Sequence, residues 1–254
     1  MPMSPRLLRP IASRSLVDAD ATAYLSAVQT ADGQALEPAV RNAITAFVVG
    51  CKQDGVWSAI KASCLLMGAR TLSGALTPLV GTAPTNNNFV AGDYNRKTGL
   101  LGNGSTKYLD SNRNNNADPQ NSNHNAAYVS FVGTGVVIGS QAQAGVNGSN
   151  SLSHAASRSR NTSFASRDLT QSGFCGTSRS NAGSYQVRVN ASAFTEAISS
   201  QAPDNTNIGV LAFGNAAAYG THRVSFYSIG ESLTLSLLDT RVSALYTAIG
   251  AAIP

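Results

Sequence analysis

Charged side chains are scarce in this chain. Lysine and arginine number 18 and aspartate and glutamate 13, so charges make up 12% of the 254 residues, about half the share usual in soluble domains. Ser, Thr, Asn, Gln and Gly must cover the surface instead and keep it wet through hydrogen bonds. Such a surface suits a protein packed into an assembly, or one working outside a cell, better than a free cytosolic enzyme. Cysteine is rare and odd in number: Cys51, Cys64 and Cys175. With no C-x-x-C and no Cys/His cluster, zinc ligation of the usual spacing is disfavoured and no cofactor is implied. Reduced, partly buried thiols are expected, with a Cys51–Cys64 bridge left open for an extracellular protein. No N-terminal apolar stretch has the length of a secretory signal or a membrane span. A particle assembled in the cytoplasm and released by lysis needs neither.

The groups that carry chemistry are equally sparse. The three histidines, His124, His154 and His222, form no H-x-x-x-H and read as surface or hydrogen-bonded structural residues. In the β-rich region the only candidates for a catalytic pair are Asp93, Asp110, Asp118, Asp168, Glu196 and Asp204. Asp110, Asp118 and Asp204 stand in Asn/Pro-rich turns, where Asp bonds nearby backbone. Glycoside hydrolysis needs two carboxylates facing one bond, and no E-x-D-x-x-E run supplies them. Gly102-Asn103-Gly104 lacks the Gly-Lys-Ser/Thr of a phosphate loop and reads as a tight turn. The expectation is therefore a non-enzymatic protein. The lone tryptophan, Trp57, shares helical spacing with Val56 and Ile60 and is expected in the core. Tyr94, Tyr108 and Tyr219 are the better candidates for an exposed aromatic contact.

The net charge is +5 and the pI about 9.3. Part of that charge lies at the start, where Arg6, Arg9 and Arg14 flank Pro5 and Pro10. This arm can dock on a neighbouring subunit, touch an acidic surface, or remain a solvated tail. Docking is favoured, because proline lowers the entropy lost on ordering. Basic residues interleaved with aromatics are missing, so nucleic acid is disfavoured as a partner.

Residues 1–17 read as this extended basic arm and 18–62 as a helical region. Asp18 and Asp20 offer N-caps for a first helix, which Asp32-Gly33 breaks. Pro38 opens a second helix with Val40, Ile44, Phe47 and Val48 on one face, and Gly50 can end it. A brief third helix is expected over Val56–Ala62. Residues 63–232 read as a β-sandwich of short strands separated by turn residues. Candidate strands are Ser63–Met67, Gly99–Leu101, Thr106–Leu109, Ala126–Val132, Gly135–Gly139, Gly173–Ser178, Tyr185–Asn190, Ile208–Phe213 and Thr221–Gly230, the last looking the more buried. Asp110–Asn125 and Asn147–Arg167 read as long irregular segments, either binding loops or solvated excursions. Residues 233–254 form a final helix with Leu235, Leu238, Val242, Leu245 and Ile249 on one face, and Ser236 with Asp239 suggests a capping box. That stripe is large enough for the helix to dock on its own sandwich or on a neighbour.

Three segments carry a resemblance. Gly102-Asn103-Gly104-Ser105-Thr106-Lys107-Tyr108-Leu109 resembles the D-G-S-x-x-Y-V strand entry of concanavalin A-like (laminin-G-like) jelly rolls. Tyr185-Gln186-Val187-Arg188-Val189-Asn190 resembles their L-Y-V-N-G hairpin, with Ala191 where glycine is usual. Arg223–Ile229 followed by a helix resembles the closing strand and its trailing segment. The resemblance implies a mainly β jelly-roll sandwich with an N-terminal helical hairpin and a C-terminal helix. In that fold calcium and sugar ligands sit on loops, and no metal motif of the family can be matched here residue by residue. The whole chain, through Ala31–Glu37, Asp93–Leu100 and Phe226–Leu233, is similar to virion proteins of tailed marine and cyanobacterial phages. That likeness implies a homo-oligomeric structural part of the virion, such as a capsid decoration or cement protein. Its partners would be its own copies and other virion proteins such as the major capsid protein. The alternative is a tail fibre, spike or carbohydrate-binding module that recognises host glycans, with no membrane partner in either case.

Overall fold

The computed structural model describes residues 18–141, 148–161 and 163–254. Helix α1 spans Ala19–Asp32 and α2 Pro38–Gln53. Asp18 caps α1, its carboxylate accepting from the N–H groups of Asp20 and Ala21, and Gly33 ends it at φ 74°, a conformation that favours glycine. α2 starts on Pro38 but runs past Gly50. That glycine serves packing instead: a Cβ there would meet the Arg241 guanidinium at 2.8 Å, on its way to Asp54 at 2.7 Å. The expected third helix is a single 3-10 turn, Trp57–Ala59, followed by strand β1, Ile60–Leu65. A short apolar run is ambiguous between helix and strand, and here distant pairing decides it.

After β1 come α3 (Leu72–Ala75), β2 (Pro78–Val80), β3 (Thr85–Asn87), β4 (Tyr94–Asn95), β5 (Gly99–Leu101), β6 (Tyr108–Asn114), β7 (Asn123–Phe131) and β8 (Val136–Gly139). Then follow β9 (Ser149–Ser153), β10 (Ala156–Asn161), β11 (Ala165–Ser166), β12 (Gly173–Arg179), β13 (Tyr185–Val189), β14 (Ser192–Glu196), β15 (Asn207–Val210), β16 (Arg223–Gly230) and α4 (Leu235–Ala252). The segment 110–125 is thus half strand, the end of β6 and the start of β7 with the 3-10 turn Asn115–Ala117 between them, and 147–167 contains β9, β10 and β11.

The strands form two antiparallel sheets. One runs β14-β13-β12-β7-β16-β1-β2, with β5 beside the first residues of β16 and β4 beside β5; the other runs β11-β10-β9-β8-β15-β6-β3. One core lies between them, built on Leu100, Leu109, Val129, Ile138, Val210 and Val224. A second core lies on the opposite face of the first sheet, under α1, α2 and α4. There Phe47 meets Phe226 edge-on at 5.8 Å, and Tyr246 stacks on Tyr128 at 4.4 Å. The layers are helices, sheet, sheet, so β16 is buried on both faces over nearly its whole length, as its sequence suggests.

The five apolar residues of the α4 stripe are all buried, and the helix packs on α2 and on the chain's own β12 and β13. Its cap differs from expectation. Thr234 is the N-cap and offers no side-chain bond, while Asp239 reaches Arg188 of β13 at 2.6 Å. Asp239 therefore ties helix to sheet instead of closing a capping box. All three cysteines are buried and free, which rules against the Cys51–Cys64 bridge. Among the described residues no helix is long and apolar enough to cross a membrane. The arm with Arg6, Arg9 and Arg14 lies outside the described residues.

Candidate functional site

One end of the sandwich interior is polar. On the inward face of β7, Val129 and Ala127 give way to Asn125 and Asn123; on β12, Cys175 gives way to Thr177 and Arg179, paired opposite them. Arg160 and Arg179 are fully buried. A buried guanidinium is tolerable only when its donors are used, and both are. Arg160 donates to the carbonyl oxygens of Asp118 (2.9 Å), Pro119 and Asn115. Burial brings it down to about 10, so it stays protonated at neutral pH. Arg179 donates to the carbonyls of Ser159 (2.9 Å), Asn181 (3.2 Å), Ser184 (3.1 Å) and Ile198 (3.0 Å). Around them Asn115 bonds Asp204 (2.9 Å), Gly148 (2.8 Å) and Asn150 (2.7 Å). These groups hold loops together; the centre of the carbonyl cluster, where a cation would sit, is filled by Arg160.

The histidines are equally committed. His124 is fully buried in β7, with Nδ1 donating to the Glu231 carbonyl at 2.5 Å and Nε2 accepting from Ser228 at 2.7 Å. Burial pushes it down to about 4. His222 Nδ1 accepts from the Gly133 N–H at 3.1 Å, and His154 Nδ1 accepts from the Gly135 N–H at 3.2 Å. Thr221 takes the N–H of Thr134 between them. Three successive backbone donors of one turn are thus met by side chains.

A different arrangement occurs at the side of the sandwich, where β14 and β11 are the outermost strands of the two sheets. Phe194 lies opposite Val187 and Glu196 opposite Tyr185, so they share the inward face with core residues. With no further strand beyond β14 among the described residues, Phe194 keeps 37% exposure. The segment after β11 faces it. Arg167 lies 4.4 Å from the Phe194 ring centroid and pairs with Glu196. A groove of about 300 Å³ opens here, lined by Arg167, Asp168, Gln171, Asn190, Ser192 and Phe194 among others. Asn190 Nδ2 donates to the Gln171 carbonyl at 3.1 Å and ties the two walls. The hairpin at the rim turns through Asn190 and Ala191, at φ 46° and 68°. This is the two-residue turn that prefers glycine in its second place, where the sequence has alanine.

The tyrosines chosen from sequence do not form a common site. Tyr94 sits at the seam of the two cores, its hydroxyl donating to the Ala69 carbonyl at 2.7 Å, and burial pushes its phenol up. It is not an exposed ring. Tyr108 is half-buried, edge-on to Tyr219 at 6.0 Å. Trp57 is half-buried at the edge of the helical core, its indole N–H donating to Asp20 at 3.1 Å. Sequence reasoning missed Phe194 because β14 was not expected; the signal was the turn pair Asn190-Ala191 followed by the alternation Ser192-Ala193-Phe194-Thr195-Glu196. The exposed aromatics are phenylalanines: Phe131, Phe164 and Phe194.

No family model and no curated protein matches the chain. Among solved structures it is similar to domain 4 of AbnA, a GH43 extracellular arabinanase from Geobacillus stearothermophilus in complex with arabinotriose. The match has 10% identity over 64% of this chain and 82% of that one, with a TM-score of 0.39.

Proposed function

We propose that this chain is a non-enzymatic structural protein of a tailed-phage particle, an outer component of the decoration or cement kind, acting through contacts with its own copies and with other coat proteins such as the major capsid protein. The observation that carries the reading is how the ionisable groups are used. Of the seven carboxylates in residues 63–232, six are bound to structural partners: Asp93 to Lys107, Asp110 to Asn207, Asp118 to Arg113, Glu196 to Arg167, Asp204 to Asn115 and Glu231 to Lys61. The buried arginines and histidines fasten loops. Such wiring supports a rigid body whose work is done by its surface. The surface offers the means for contact: Val90, Phe131 and Phe164 are more than half exposed, and β14 presents an unpaired edge, a ready template for association. In a shell, many modest contacts add to a strong one. The likeness of Ala31–Glu37, Asp93–Leu100 and Phe226–Leu233 to phage virion proteins supports the virion as its place, with assembly in the host cytoplasm.

Mass spectrometry of purified particles, followed by cryo-electron microscopy, tests this. The expected result is stoichiometric chain and a sandwich-shaped density on the outside of the particle. Its absence from particles, or turnover of host envelope polysaccharide by the purified chain, would overturn the proposal.

A further inference from the structure

The side groove between β14 and the segment after β11 has the ingredients of a ligand site, and its open side chains, Asp168, Gln171, Ser192 and Phe194, make none of the ties counted above as structural wiring. We propose that it binds a neutral pyranose, the terminal sugar of an uncharged glycan, with the sugar's C–H face on Phe194. Three observations support this class of ligand. First, an aromatic ring is held partly open to solvent on a sheet edge, and a ring flanked by placed polar groups is how apolar and hydroxylated faces are recognised together. The ring is also fixed, because Arg167 lies against it and is itself anchored by Glu196. Second, the polar groups are of the kind that bond sugar hydroxyls: the Asp168 carboxylate is exposed and makes no ion pair among the described residues, Ser192 adds a hydroxyl, and Gln171 adds an amide. Asn190 Oδ1 lies buried with no donor, an unmet acceptor in the wall of the groove. Space for it exists only because residue 173 is glycine: a Cβ there would fall 2.2 Å from that oxygen.

Third, charge selects among polar ligands. Arg167 is balanced by Glu196, so the unbalanced charge of the groove is the single negative one of Asp168. Anionic ligands, including acidic sugars and nucleic acid, are repelled. A cationic ligand is repelled by the Arg167 guanidinium on one side of the ring, whereas a neutral ring can meet the part of Phe194 that Arg167 leaves open to solvent. What remains compatible is an uncharged, hydroxyl-rich ring whose size suits a groove of about 300 Å³.

Saturation-transfer NMR with the full chain tests this, using methyl β-glucoside, methyl β-galactoside and methyl α-mannoside as probes and N-acetylneuraminic acid as the anionic comparison. At least one neutral glycoside should receive saturation on its C–H face. Phe194→Ala should weaken that binding at least tenfold and Asp168→Asn several-fold, while Phe164→Ala, at another exposed phenylalanine, leaves it unchanged. Both Phe194 and Asp168 are exposed, and unchanged thermal melting checks that each variant folds. No transfer to any of the three glycosides, binding that survives Phe194→Ala, or equal binding of the acidic sugar would each overturn the proposal. Incorporation of Phe194→Ala into particles is read separately, so a failed sugar site leaves the virion reading standing, and the reverse.

Discussion

A neutral imidazole is the form that the His124 site accepts, since its two nitrogens serve one carbonyl and one hydroxyl inside a sheet covered on both faces. Its ordinary value of 6.5 falls to about 4 in the fold, and burial lowers His222 as well. Above pH 6.5 neither state of the chain protonates it, and its contribution is constant. As the pH falls from 6.5 toward 4 the unfolded chain takes up a proton that the fold refuses, so stability drops by about 1.4 kcal/mol per pH unit from this residue. Urea unfolding at about pH 7.5 and about pH 4.5 measures the slope, and His124→Asn should flatten it. Ala191 offers the opposite lesson. Its left-handed backbone, φ 68°, is strained for any residue with a Cβ, so Ala191→Gly should raise stability by about 1 kcal/mol in denaturant melts. An unchanged or lower stability would mean that the turn relaxes at no cost.

At the scale of elements, Arg179 does the work of several short connections. Its guanidinium holds the 181–184 turn, the strand β10 and the segment at Ile198 through their carbonyls. Arg179→Met should cost about 3 kcal/mol or more, because buried carbonyls lose their charged donor, and amide exchange in 180–184 should quicken before the rest of the chain is affected. Elements were legible in the sequence in proportion to their apolar period. α4 and β16 bury the residues that their patterns mark, because the apolar cores on which they rest decide both. β9 and β10 were hidden in a Ser/Asn/Arg stretch, because their inward residues face the polar end of the sandwich and carry no alternation of apolar side chains. The same reason hid the site. Phe194 belongs to a strand of which four of five residues are exposed, and Tyr94 seemed exposed only because its burial depends on two cores assembled from distant segments.

At the scale of the molecule, the helices and the first sheet share one core, and no apolar face of α4 could remain without it. Trp57 packs against that core from the β1 side, so its fluorescence and the far-ultraviolet circular dichroism should follow one unfolding transition, as expected of a cooperative unit. Two separated transitions would mean that the helical layer is an independent domain. The central place of β16, between β7 and β1, carries a consequence for synthesis. β1 and β7 emerge early from the ribosome, but the strand that must lie between them is the last of the sixteen to be made. Until residue 230 is out, the nascent polypeptide has two half-sheets and no middle. The first sheet therefore closes only after the other fifteen strands have been made, so its folding waits for its own central strand.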